Sequence, residues 1–294
     1  LIDRNQFPAF SISNEELLAE SRKLRQLDTN KAQRGQVRVD FQGHTKAGDL
    51  ADNAADRLFT NVDAGLLTKP IYQQFLALTD NFYRETATLN PTALTTARIF
   101  QEEQETTAFL TTVLQSAPMK ELYQFLNSKR HPFAANPGVF GKWLHQLWFA
   151  HYSRARGVAD SSGFEHVFIG EEKNKEVSGL HNWVRFYTLE KNATENFDYK
   201  GFIVKRGYVM ASVKFTWRGD LKKSGSIMIG TSPEFDMALY TLCFLSRRGN
   251  QQCEVELDGC PMGVTSYELV QNGKVYIGTI YPTAGAPSNQ CGRH

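Results

Sequence analysis

The sequence predicts an α+β protein, with a mainly helical N-terminal lobe over residues 1–156 and a mixed α+β lobe with antiparallel sheets over residues 157–294. Two observations carry this expectation. Apolar residues recur at three-and-four spacing from Ser13 to about residue 155, whereas after Gly157 short β-branched and aromatic runs alternate with helical stretches. Near the end of the chain, Asn272-Gly273 joins two such runs, the strongest short-range signal for a hairpin.

The elements follow in order. Ser13 and Glu16 have capping-box spacing ahead of Leu17, Leu24 and Leu27, which opens the first helix. The run from Asn30 to Gly65, rich in Gly, Asp and Asn, reads as loop and short turns. Pro70 at a first helical position leads into Ile71, Phe75, Leu78 and Phe82 on one face. Further stripes follow at Phe109, Leu110, Val113 and Leu114, at Leu122, Phe125 and Leu126, and at Phe140, Leu144, Leu147 and Trp148.

In the second half, Glu165-His166-Val167-Phe168-Ile169 reads as a strand, and Leu180, Trp183, Val184 and Tyr187 as a helix after it. Residues 202–217 read as a hairpin turning at Arg206-Gly207, and residues 226–229 as another strand. Ser232 and Pro233 begin a helix that buries Phe235, Leu239 and Leu242. The last strands, near Val264–Val270 and Lys274–Tyr281, flank Asn272-Gly273.

Composition bounds the function. With 294 residues, 41% hydrophobic, the chain can bury a sizeable core, and it has no apolar run of membrane-spanning length. A net charge of +2 is far from that of a protein that coats nucleic acid nonspecifically. Cys243, Cys253, Cys260 and Cys291 lack zinc-ligand spacing, and their pairing is open. The clustered cysteines, the sequon Asn192-Ala193-Thr194 and a start at Leu1, either a processed terminus or the edge of a cloned segment, point toward an oxidising compartment and a secreted monomer. A cytoplasmic or nuclear location is the alternative.

Among seven histidines, His166 and His181 stand out in the dense polar and aromatic settings SSGFEHVFIGEE and SGLHNWVRF. Fifteen residues apart, on a strand and at the start of the next helix, they can converge on one pocket, with Glu165 and Glu171 near enough to orient an imidazole. In isolation, each reads more readily as a core or capping histidine satisfied by a backbone group.

The strings DSSGFEHVFIGE (160–171), VSGLHNWVRFY (177–187) and GSIMIGTSPEFDMALYTLCF (225–244) resemble the EndoU family, the poly(U)-specific endoribonucleases. The resemblance extends to LFTNVD (58–63), the helix after Lys69-Pro70, FLNSK (125–129) and WFAHYSRA (148–155), covering nearly the whole chain. It implies an EndoU-like fold and uridylate-preferring cleavage of single-stranded, U-containing RNA. The ribose 2′-OH attacks the adjacent phosphorus and leaves 2′,3′-cyclic phosphate and 5′-OH ends, with stimulation by Mn²⁺ or Ca²⁺.

By the same resemblance His181 is the base, His166 the acid and Lys222 the ammonium that stabilises phosphoryl charge, a division that suits the chemistry of two imidazoles and a fixed cation. The register of LKKSGS favours Lys222 over Lys223, whose alternative is a solvated charge. Ser226 and Tyr281 match uracil-reading positions, Thr231 is a third candidate contact, and Glu165 and Glu171 match acidic positions associated with activity and with metal, whose ligands stay unassigned. Trp148, Tyr152 and Trp183 offer stacking surfaces or core, and the cations between Arg22 and Arg38 offer phosphate contacts or a solvated face. The competing function is an RNA-binding or secreted interaction protein with little turnover.

Overall fold

Capping chemistry sets where the helices begin. The computed structural model describes residues 7–82, 84–86, 96–154 and 157–292. Helix α1 (Asn14–Gln26) starts at a complete capping box, the Ser13 hydroxyl accepting from the Glu16 N–H and the Glu16 carboxylate from the Ser13 N–H. Then come α2 (Ala64–Leu67), α3 (Pro70–Ala77), α4 (Thr96–Gln115), α5 (Ala117–Ser128) and α6 (Pro137–Trp148). Ser116 and Asn136 side chains cap the last two.

The stretch expected as loop between α1 and α2 contains a short antiparallel pair, β1 (Val37–Val39) and β2 (Phe59–Val62). At three and four residues these strands are too short to show a period. A distant group helps to hold them, because the Glu190 carboxylate accepts the Leu58 and Phe59 N–H groups at 2.7 and 3.1 Å. The predicted lobe boundary at 156–157, Leu1 and Ala155 touch positions outside the described residues.

The second half contributes β3 (Glu171–Lys173), β4 (Glu176–Ser178), α7 (Trp183–Lys191), β5 (Phe197–Arg206), β6 (Met210–Trp217), β7 (Asp220–Met228), α8 (Pro233–Ser246), β8 (Cys253–Leu257), β9 (Cys260–Gln271) and β10 (Lys274–Ala284). They form a five-stranded sheet, ordered β3-β4-β7-β6-β5, and a three-stranded sheet, ordered β10-β9-β8. All pairings are antiparallel except the contact of β4 with β7. Strand β10 packs against β7 and β6, which brings the two sheets together. The fold class is therefore α+β, as expected.

One element differs in kind. Glu165–Ile169 is a π-helical turn rather than a strand, closed by the Gly170 N–H donating to the Glu165 carbonyl at 2.9 Å. All five residues are buried, so no polar face marks a period, and a short apolar run is ambiguous between helix and strand.

One apolar cluster runs through both halves, joining Leu17, Phe75, Phe109 and Leu147 to Phe168, Leu242 and Ile277. Helix α8 is buried along its whole length, and the Trp148 indole N–H donates to the Thr241 hydroxyl at 3.0 Å to fasten α6 to it. Trp148, Tyr152 and Trp183, considered as stacking surfaces, are core residues. Of the basic stretch, Arg22 pairs with Glu256, Lys23 with Glu121, and Arg25 lies between Asp28 and Asp258, so these three charges are matched within the protein. Among the described residues, no helix is long and apolar enough to cross a membrane.

Two disulfides, Cys243–Cys253 and Cys260–Cys291, close sequence separations of 10 and 31 residues. The first ties α8 to β8, the second the start of β9 to the C-terminal segment. Loop closures of this size restrict the unfolded chain by about 3 kcal/mol each. Replacing Cys243 and Cys253 together with alanine is expected to lower the unfolding free energy by about that amount in a urea titration; an unchanged midpoint contradicts this.

Candidate active site

The two histidine segments are joined through their backbones. The Leu180 N–H donates to the His166 carbonyl at 3.0 Å, and the His181 N–H to the Val167 carbonyl at 2.7 Å. The β3–β4 hairpin is the loop that brings them together. The approach requires Gly179: its φ is +69°, and a Cβ there would lie 1.7 Å from the His166 carbonyl oxygen. Leu180 also has positive φ, and Asn182 then caps α7 by accepting the Arg185 N–H at 3.0 Å.

An open cleft of about 510 Å³ lies where this junction meets the two sheets, and His166, His181, Lys222, Ser226 and Tyr281 all line it. Strand β7 supplies Lys222 and Ser226, and β10 supplies Tyr281. Between Val213 and Phe215 the β6–β7 register shifts, and along β7 Lys222, Ser224 and Ser226 face the cleft at the strand period of two. Gly225 leaves room for the Lys222 side chain, since a Cβ there would sit 3.2 Å from Lys222 Cγ and 2.9 Å from the Phe215 ring. Lys223 points elsewhere and pairs with Glu176 at 3.1 Å on the surface.

The histidines have different partners. His181 Nδ1 lies 2.8 Å from the Ser226 carbonyl oxygen, which can only accept, so Nδ1 carries a proton and Nε2 of the neutral ring keeps its lone pair. Burial, the Lys222 ammonium and His166 push its pKa well below the usual range. His166 Nδ1 lies 2.9 Å from a Glu171 carboxylate oxygen, and its Nε2 lies 3.2 Å from the Thr279 hydroxyl. Burial lowers the His166 pKa too, but the Glu171 hydrogen bond and charge oppose it, favouring the imidazolium. Burial brings the Lys222 ammonium down to about 8.

Glu171 is itself secured from behind. Arg154 Nε approaches a carboxylate oxygen at 3.2 Å, and the Ser161 hydroxyl donates to the other oxygen. Burial alone raises a carboxyl pKa, yet the bonds to His166, Arg154 and Ser161 hold Glu171 below its usual value. Glu165 is also buried and does not line the cleft; burial and the neighbouring Glu171 and Asp160 charges raise its pKa well above the carboxylate range, which favours the neutral acid.

The acidic pair therefore does not suit a divalent cation. Both Glu171 oxygens are engaged by protein donors, Glu165 favours its neutral form, and among the described residues no group of three or more His, Cys, Asp or Glu side chains is placed to hold a metal ion. Thr231 also lies outside the cleft wall. It is fully buried at the start of α8, where its carbonyl accepts the Trp183 indole N–H at 2.7 Å.

The sequence reading missed several wall residues. Thr279 touches His166, and Ser178, Ser212, Ser224 and Thr283 add hydroxyls. The alternation of Thr279, Tyr281 and Thr283 along β10 was a usable signal, because a period of two places all three on one face. Arg154 and Ser161 had no such signal. Tyr281 stands beside His181, the ring centroids 5.4 Å apart at an interplanar angle of 31°.

The family described as "Endoribonuclease XendoU" matches residues 16–282. The chain is 37% identical over 281 residues to the uridylate-specific endoribonuclease of Mus musculus and 37% identical over 282 residues to that of Homo sapiens, in each case 92% of this chain and 66% of the relative. It thus spans just under two thirds of the length of these relatives. It is 35% identical to uridylate-specific endoribonuclease D of Xenopus laevis, over 92% of this chain and 90% of that one. A solved structure described as "The structure of XendoU: a splicing independent snoRNA processing endoribonuclease" superposes with a TM-score of 0.76 at 32% identity, covering 94% of this chain and 99% of that chain.

Because the Lys222 charge helps to depress His181, Lys222→Met is expected to raise the His181 pKa. An NMR titration of the imidazole Cε1–H signals measures this, and an unmoved or lowered value contradicts the electrostatic assignment.

Proposed function

This chain belongs to the endoribonuclease XendoU family, and from that membership we propose that it cleaves single-stranded RNA after uridine by transesterification. What carries the proposal is the contrast between the two Nδ1 partners: a carbonyl behind His181 and a carboxylate behind His166, both rings lining one cleft.

In the proposed reaction, the neutral His181 Nε2 takes the proton of the uridine 2′-OH. The 2′-oxygen forms a bond to the adjacent phosphorus while the bond from phosphorus to the 5′-oxygen breaks, and the His166 Nε2–H delivers a proton to that leaving oxygen. The products are a 2′,3′-cyclic phosphate and a 5′-OH. The Lys222 ammonium, with no hydrogen-bond or ion-pair partner among the described residues, is available to the non-bridging oxygens as charge builds on them. Ser226 and Tyr281 stand beside His181, where the uracil of the attacked nucleotide has to sit, one offering a hydroxyl to its edge and the other a ring to its face. Stimulation by Mn²⁺ or Ca²⁺ is part of the proposal, and the reaction above runs on the side chains alone.

Incubation with a single-stranded RNA bearing one uridine, with and without Mn²⁺ or Ca²⁺, followed by mass analysis of the ends, tests this reading. Cleavage after the uridine with a cyclic phosphate end is expected, and His181→Ala or His166→Ala should slow it by a factor on the order of 10² to 10⁴. A linear phosphate end, or near-normal rates in both variants, contradicts it.

The pH dependence has a definite sign. Activity rises as His181 loses its proton, well below the usual 6.5, and falls as His166 loses its own, also below 6.5 in the free protein, with a further fall as Lys222 deprotonates near 8. The kcat/KM profile is therefore expected to peak on the acid side of neutrality. Glu171→Gln removes the charge that supports the His166 proton and should move the descending limb to lower pH; a limb that stays in place contradicts that coupling.

A further inference from the structure

Asn192 lies at the far end of α7 from the cleft, and residues 191–194 are all exposed. It ends the helix in an extended conformation, φ −92° and ψ 105°, and its side-chain oxygen accepts from the Thr194 N–H at 3.1 Å and from the Thr194 hydroxyl at 2.8 Å. The Asn-Ala-Thr triplet is thereby closed into a compact turn in which the hydroxyl bonds the amide oxygen. The amide nitrogen Nδ2 has no protein partner among the described residues. The chain also carries two disulfides and no free cysteine among the described residues, the chemistry of a protein folded in an oxidising compartment.

We propose that Asn192 is a site of N-linked glycosylation, acquired as the chain passes through the secretory pathway. The co-substrate is a lipid diphosphate-linked oligosaccharide. Nδ2 forms a bond to C1 of the first sugar, the bond between C1 and the diphosphate oxygen breaks, Nδ2 gives up one proton, and the lipid diphosphate leaves. No native contact is lost, because the one hydrogen-bonded atom of the Asn192 side chain is its oxygen.

The position determines what the sugar does. Helix α7 runs from Trp183, two residues after His181, to Lys191. At 1.5 Å per residue, that puts about 13 Å of helix between the cleft end and the glycan. The attachment point is therefore a full helix length from the cleft, and Asn192 is not among the residues that line it. Lys191, the residue before Asn192, lines a depression of about 250 Å³ together with Phe59, Tyr187 and Glu190.

The test is the mass of the peptide spanning Asn192 in the chain produced through the secretory pathway of a eukaryotic cell, before and after an amidase that removes N-glycans and leaves Asp in place of Asn. The expected result is a glycan lost on treatment with conversion of Asn192 to Asp, absent in Asn192→Gln and Thr194→Ala and retained in Thr194→Ser, which preserves the hydroxyl. RNA cleavage by the treated and untreated chains should agree within about twofold, since the attachment point lies off the cleft. An unmodified peptide from the secreted wild-type chain, or one modified equally in Thr194→Ala, overturns the proposal. Failure of all forms to be secreted overturns its compartment.

Discussion

The close contact of two backbone segments, residues 166–167 against residues 180–181, is what the site depends on. Two hydrogen bonds join them, and Gly179 is the residue that lets them approach, since any side chain there would collide with the His166 carbonyl. A π-helical turn and a capped helix start are thereby held as one unit. Side chains fifteen residues apart acquire a fixed relation that neither segment imposes alone. The sheets then complete the cleft, β7 from one side with Lys222 and Ser226 and β10 from the other with Thr279 and Tyr281.

Within that frame, electrostatics divides the labour. Two imidazoles and an ammonium share this corner, where the Lys222 charge lowers the proton affinity of both rings and His166 lowers that of His181. Left to burial alone, both rings would be weak, neutral bases. The Glu171 carboxylate, itself kept ionised by Arg154 and Ser161, breaks the symmetry by supporting a proton on His166. At His181 the Ser226 carbonyl fixes the tautomer by holding the proton on Nδ1, while burial and the Lys222 charge favour the neutral ring. Low local polarity magnifies both effects, because water does not screen them.

Much of this was legible in the residues, and what was not has physical causes. Capping signals at Ser13, Pro70 and Ser232 and the Asn272-Gly273 turn depend on neighbours within a few positions, and their elements stand where those signals put them. The strand expected at 165–169 was misread because burial on every side erases periodicity. The β1–β2 pair was hidden because a carboxylate 131 and 132 residues away helps to hold it. At the site, His166, His181, Lys222, Ser226 and Tyr281, indicated by the family resemblance, meet in one cleft, and Glu171 bonds an imidazole as its place near the histidine motifs suggested, whereas Thr231 turned inward. Arg154 and Ser161 both bond Glu171, a relation that exists in three dimensions and leaves no spacing in the chain.

The central claim is that His181 removes a proton and His166 supplies one, and a change of leaving atom separates the two roles. An RNA whose single scissile phosphate carries sulfur in place of the bridging 5′-oxygen has a leaving group that departs without protonation. With this substrate, the account predicts that His166→Ala recovers most of its lost rate while His181→Ala stays impaired. Rescue of His181→Ala instead, or of both variants equally, would contradict the assignment.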